Sequence, residues 1–171
     1  AVTLTPTGIN SLSVTTQPST TASAGTAFTT QISVSAYDVY ANLATNAGDS
    51  VTLTSHSTCG GAVSGGSLSG TLSLALVSGV ATFTGISYNL AEAIVLKATS
   101  GALNVCSNTI TVSAGAADHM VFSTSPSSGA VAGANLASSP VVQIRDIFEN
   151  LVTTATHTIT LGTYTDSGCG T

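Results

Sequence analysis

Short runs of alternating apolar and polar residues, broken by glycine, serine and asparagine, run along this chain from end to end. Ile32, Val34 and Ala36 alternate with Ser33 and Ser35, and Val51 and Leu53 alternate with Thr52 and Thr54. Successive side chains of a strand point to opposite faces, so this two-residue period predicts antiparallel sheets with one apolar and one wet face. No segment sustains apolar residues at helical spacing. The pattern predicts seven strands, at 12–16, 28–37, 50–55, 71–77, 80–84, 93–100 and 108–113. The turn residues between them fall at the interval expected of a sandwich.

The pattern also repeats. Pro18 and Pro126, Gly25 and Gly133, Asp38 and Asp146, and Asn42 and Asn150 each stand 108 residues apart, with no gap. Leu43/Leu151, Thr45/Thr153, Thr52/Thr160 and Leu53/Leu161 keep the register, and Val2-Thr3-Leu4 falls on Ile110-Thr111-Val112. The expected layout is a closing strand of a preceding repeat in 1–10, a complete repeat in 11–118, and the first half of the next repeat in 119–171. The second copy then lacks its closing sheet. Phe122, Val142, Ile144, Ile159 and Leu161 would have an inner face and nothing to bury it against. The expectation is a window onto a longer chain, in preference to a half-fold completed by strands from a neighbour.

Composition sharpens this picture. Charged residues are 5% of the chain, against about 25% in an average soluble domain. Serine and threonine, together about a third of it, keep it wet instead. Threonine, valine and isoleucine suit a pleated, half-buried surface, and serine, glycine and asparagine suit turns. The formal net charge is −5, with Lys97 and Arg145 the only bases. Nucleic-acid binding, which needs several cations to displace phosphate counterions, is not expected. No apolar run approaches the length of a membrane-spanning helix, so membrane insertion is not expected either. Ala1 opens directly into strand-like alternation with no leader pattern, as in a processed chain or a part of a longer one.

Seven strands in about a hundred residues is the count of an immunoglobulin-like sandwich. The stretch from Val34 to Asn42, with its Asp38-x-x-x-Asn42 turn, resembles bacterial immunoglobulin-like repeats of the invasin/intimin type, and so does Val142 to Asn150. Gly79-Val80-Ala81-Thr82-Phe83 is similar to a later strand of those modules, and Gln17-Pro18 with Ala24-Gly25 to their opening strand and turn. The family often has glycine just before the motif's Asn; Ala41 and Glu149 stand there instead, which puts the turn type in question. The resemblance implies tandem immunoglobulin-like antiparallel β-sandwiches of an extracellular or cell-surface protein. Its expected function is that of a structural module in a bacterial fibre, filament or stalk, with neighbouring repeats or copies of itself as partners. The alternative is an adhesin module binding a glycan or host protein through end loops, of which 56–70, long and rich in glycine and serine, is the best placed. An accessory domain of a secreted enzyme is a third reading.

Three cysteines leave an odd count. Cys169, in Ser-Gly-Cys-Gly, corresponds to Cys59 after a two-residue insertion, and the counterpart of Cys106 would lie beyond the chain. A Cys59–Cys106 disulfide is therefore expected, with Cys169 as half of another, and with them an oxidising, extracellular setting. Two buried unpaired thiols are the alternative, because Cys59 follows the third strand and Cys106 precedes the last. Asp38, Asn42, Asp146 and Asn150 are expected to hydrogen-bond the backbone of their own turns. Calcium at a junction, with Asp49 or Glu149 adding oxygen, is the lesser reading, since the acids are sparse for an ion that takes six to eight ligands. Lys97, inside a strand, is expected to lay its stem on the sheet; an isopeptide bond to an asparagine is the sharper alternative. His56, His119 and His157 are scattered, and Gly66-Ser67-Leu68-Ser69-Gly70 has Leu where a nucleophile elbow needs Ser. No catalytic residue and no cofactor is expected. Tyr37, Tyr40, Tyr88 and Tyr164 read as exposed and could stack on sugars, but with no cluster visible packing at strand ends is the expected use.

Overall fold

The computed structural model describes residues 5–129 and 131–163. Among them the chain is all-β, with several sheets and no helix, an arrangement compatible with a β-sandwich. The small sheet has the order β1 (Ser11–Thr16), β3 (Ser33–Tyr37), β7 (Val80–Thr82). The larger one runs β2 (Thr21–Ser23), β11 (Ile110–Ser113), β9 (Ala93–Ser100), β4 (Ser50–His56), β6 (Ser73–Ala75), with β10 (Leu103–Cys106) also on β9. All these pairings are antiparallel except β2 with β11, which is parallel. Two short strands, β5 (Leu68–Ser69) and β8 (Ser87–Tyr88), pair with each other, and β12 (His119–Thr124) pairs with β13 (Val141–Arg145).

The alternating residues do what the period predicts on the inner faces. Val34, Ala36 and Ala81 from the small sheet meet Val51, Leu53, Ile94, Leu96, Ala98, Ile110 and Val112 from the large one in a single core. The outer face of β3 departs from the expectation, because Ser33 and Ser35 are buried as well. β3 lies between β1 and β7, and its small hydroxyls fit beneath the neighbours' side chains. Thr15 shares a hydrogen bond with Ser35 at 3.1 Å, and Ser33 donates to Thr82 at 3.4 Å.

The strand expected over 28–37 begins only at Ser33. Phe28 and Ile32 are buried and bond Ile86 and Phe83 through the backbone, and the Gln31 side chain fills the gap between these pairings. Its amide donates to the Phe28 carbonyl at 2.7 Å and to the Ile86 carbonyl at 3.3 Å, and its oxygen accepts from Ile86 N–H at 2.9 Å. The expected strands over 71–77 and 80–84 go to different sheets. The chain crosses between them on Ser78-Gly79, both with positive φ (50° and 82°), while Val77 and Val80 exchange backbone bonds of 2.9 and 3.1 Å. That is the geometry of a two-residue hairpin turn whose twist matches the strands it joins.

Every buried apolar residue among those described lies between Pro18 and Val112. Beyond Val112 the buried residues are Asp146 and Asn150, both polar. Phe122, Ile159 and Leu161 are exposed, and Val142 and Ile144 are half-buried, so residues 119–163 carry an apolar face without a core. Val2-Thr3-Leu4, the heart of the closing strand expected in 1–10, lie outside the described residues. Residues 5–10 form no strand and lead into β1, with Ile9 packed on the core.

Candidate functional site

The Asp38–Asn42 segment follows β3 directly, and its carboxylate organises it. Asp38 Oδ1 accepts from the N–H of Tyr40 and of Asn42, both at 2.9 Å, and Oδ2 accepts from Asn42 Nδ2 at 3.3 Å. Asp146 repeats the set 108 residues on: Oδ1 takes Phe148 N–H and Asn150 N–H at 2.9 Å, and Oδ2 takes Asn150 Nδ2 at 2.8 Å. Each Oδ2 also accepts an N–H from the segment leading into its own strands, Thr7 at 3.3 Å and Gly115 at 2.7 Å, again 108 apart. Burial by itself would raise these two pKa values. The N–H bonds from the turn and the leading segment outweigh it and hold both carboxyls below their ordinary value. Asp38 and Asp146 thus hydrogen-bond the backbone of their own turns, each carboxylate oxygen having two N–H partners, whereas the Asn42 and Asn150 side chains bond the carboxylate and not the turn backbone. No group of three or more His, Cys, Asp or Glu placed to hold a metal occurs among the described residues.

Ala41 and Glu149 both adopt left-handed φ values, 63° and 68°, so the turn keeps the conformation that glycine would favour.

The two turns differ in what they touch. Asn150 Oδ1 accepts from Ala91 N–H at 2.8 Å, and Asn150 Nδ2 donates to the Asn89 carbonyl at 2.8 Å. Phe148 lies against Gly25, whose φ is 76°, and its ring occupies the space where a Cβ would stand. Gly25 N–H in turn donates to the Tyr88 carbonyl at 2.8 Å, so Gly25 and the loop 89–92 form one receiving surface. Asn150 is 5% exposed and Phe148 41%. In the other turn Asn42 is exposed and Tyr40 is 76% exposed.

Loop 56–70 is tied down at several points. Cys59 and Cys106 form a disulfide with a Cα–Cα distance of 5.6 Å. The strand β10, which the alternation does not predict, makes this possible. Cys106 pairs with Lys97 on one edge of β9, and Thr54 pairs with Lys97 on the other, so the bond carries the loop across the outer face of β9. Tyr88, expected to be exposed, is 1% exposed. Its strand pairs with β5 inside the loop, and its hydroxyl accepts from Gly66 N–H at 2.7 Å while donating to Glu92. Burial first, then the Glu92 carboxylate, push the Tyr88 pKa up. Asn89 Oδ1 accepts from Ser67 N–H at 2.6 Å. Tyr40 remains exposed and Tyr37 is half-buried; Tyr164 and Cys169 lie outside the described residues.

Lys97 lies on the outer face of β9, between the core-facing Leu96 and Ala98 in sequence, and is half-buried. His56 bonds locally, to Thr54 Oγ1 and the Gly61 carbonyl at 3.0 Å each. One cluster has no signature in the sequence. His119 contacts Asp118 at 3.0 Å and Glu149 at 3.1 Å, and Arg145 contacts Glu149 at 3.2 Å. Its members correspond to Asn10, Ser11, Tyr37 and Ala41 one register earlier, so it is not a repeated device. Exposed pairs of this kind contribute about 0–1 kcal/mol each. A cleft of about 300 Å³ beside it is lined by Met120, Ile144 and His157, and belongs to the uncovered apolar face of β12 and β13.

These features define an all-β protein with one disulfide among the described residues and a recurring Asp–Asn turn, one copy of which is docked. No protein-family model matches the chain, and no curated protein matches its sequence. No helix among the described residues is long and apolar enough to cross a membrane. The disulfide is compatible with an extracellular location.

Proposed function

We propose that the chain is part of a series of immunoglobulin-like sandwiches and acts as a structural spacer in an extracellular bacterial fibre, filament or stalk. The observation that carries this reading is the docked turn. Phe148 and Asn150, the counterparts of Tyr40 and Asn42, join the chain beyond residue 118 to Gly25 and the loop 89–92, the ring by packing on Gly25 and the amide by two hydrogen bonds to Asn89 and Ala91. A joint of that kind sets an angle between successive units, which is what a spacer requires. The strand order supports the sandwich type: β1-β3-β7 faces β2-β11-β9-β4-β6, with a parallel edge pair between the early β2 and the late β11. The disulfide suits service outside the cell.

The competing adhesive reading rests on loop 56–70, and binding tests it. The chain 1–171 is screened against a glycan array and against host extracellular-matrix proteins, beside a variant lacking residues 60–65. The spacer reading expects no saturable binding by either chain. Saturable binding that the shortened loop abolishes would replace it with the adhesin.

A further inference from the structure

The docked and undocked turns are the same device in two states, and the difference between them identifies a partner. Both turns have the same internal bonds, a left-handed residue at the same position (Ala41 and Glu149) and the same link to the segment leading into them. Asp38 is already 3% exposed without a partner, as Asp146 is 1% exposed with one. Docking changes the aromatic residue and the asparagine: Phe148 is 41% exposed against 76% for Tyr40, and Asn150 is buried where Asn42 is open. Val39 and its counterpart Ile147 are exposed in both turns, so docking leaves that position unchanged.

We propose that Tyr40 and Asn42 form a second docking plug, and that its partner is the far end of another copy of this repeat. Resting on the spacer reading above, this names the contact that would carry the series past the N-terminal side of residues 11–118. The partner's chemistry is set by the joint already seen. It must offer a glycine in the left-handed region, which leaves room for a ring edge. Beside it must lie a loop with one free N–H and one free carbonyl two residues apart, as at Ala91 and Asn89. A primary amide presents an acceptor and a donor together, so one asparagine satisfies both. Gly133, the counterpart of Gly25, has φ 82° and nothing within 4 Å of where its Cβ would stand, so it has the form of an open receiving position.

The test duplicates the repeat inside the whole chain. A second copy of residues 11–118 is inserted between Asp118 and His119, which keeps the register of 108. The inserted copy then has its plug beside the first copy's Gly25 and loop 89–92. Tyrosines are replaced biosynthetically by 3-fluorotyrosine, and each Tyr40 fluorine signal is assigned by Tyr40→Phe in one copy at a time. Line broadening by a soluble gadolinium chelate reads ring exposure. The first copy's Tyr40 should broaden as it does in 1–171. The inserted copy's Tyr40 should shift and broaden roughly half as much, following the change from 76% to 41% exposure. Asn42→Ala in the inserted copy should restore the full broadening without lowering the melting temperature of either copy by more than a few degrees. Two equally exposed Tyr40 signals in a folded chain would overturn the plug. That result would leave the spacer reading standing, whereas saturable glycan binding would remove the spacer reading without moving Tyr40.

Discussion

Replacing both bridged cysteines, Cys59→Ala with Cys106→Ala, isolates what the disulfide contributes. The bond closes a loop of sequence separation 47. In the chain-entropy account, a loop of that size removes about 4 kcal/mol of conformational freedom from the unfolded chain. Unfolding entropy of about 2.1 cal/mol/K per residue over the 108 residues of 11–118 then converts this to a fall in melting temperature of about 15–20 °C. Little packing in the folded state depends on the two side chains, because Cys59 is exposed and Cys106 only half-buried. Most of the effect should therefore appear in the unfolded state, which gives a second signature. The denaturant slope should rise in the double alanine variant, since the unlinked chain exposes more surface on unfolding. Guanidinium unfolding followed by circular dichroism, with and without a reductant on the native protein, measures both quantities. A melting temperature lowered by less than about 5 °C, with an unchanged slope, would refute the loop-entropy reasoning.

Other outcomes rest on single side chains. Gln31→Ala leaves the buried Ile86 N–H and the Phe28 carbonyl without their partner, and should destabilise by about 2–4 kcal/mol in the same unfolding assay. Ala41→Gly relieves a left-handed φ of 63°, and after the added freedom of the unfolded chain it should stabilise by about 0.5–1 kcal/mol. Asp38 and Asp146 have native pKa values below their ordinary 3.8, so their contribution is complete above the unfolded value and lost as pH falls through the native one. The melting temperature should hold down to about pH 4 and then drop, and Asp38→Asn with Asp146→Asn should flatten that drop.

How much of this is legible in the sequence depends on the range of the interaction. Alternating runs place β3, β4 and β9, of five to eight residues, because a two-residue period over several residues is a local signal. The strands β2, β5, β8 and β10 have two to four residues each, too short to show a period, and they exist because a distant partner offers an edge. Tyr88 is buried against expectation for the same reason: its burial depends on Leu68, twenty residues away. The cysteine pairing can be proposed from the repeat, yet its geometric obstacle vanishes only with β10. The bonds from Asp38 and Asp146 to the N–H groups of their own turns are readable because they are local, whereas the bonds to Thr7 and Gly115 span 31 residues. The receiving surface is not readable either, because Gly25 and the loop 89–92 are far apart in sequence. The counterparts of that loop fall beyond residue 171, so the repeat register cannot mark it.

A joint built this way has an advantage over an apolar one in a chain with so few charges. An apolar contact between units would be non-directional and would leave a sticky face wherever a unit stood unpaired. Here the costly part, burial of a carboxylate, is met inside each unit: Asp38 is buried and fully bonded before anything docks. Docking then removes water from one amide and part of one ring. The amide regains both hydrogen bonds, each with a net value of about 1 kcal/mol. Such a contact is weak between separate molecules and effective between linked ones, where the neighbour's local concentration is of millimolar order. In the proposed series, this geometry would favour assembly along the chain over association between chains. A spacer made of tandem units needs that bias to lengthen without aggregating.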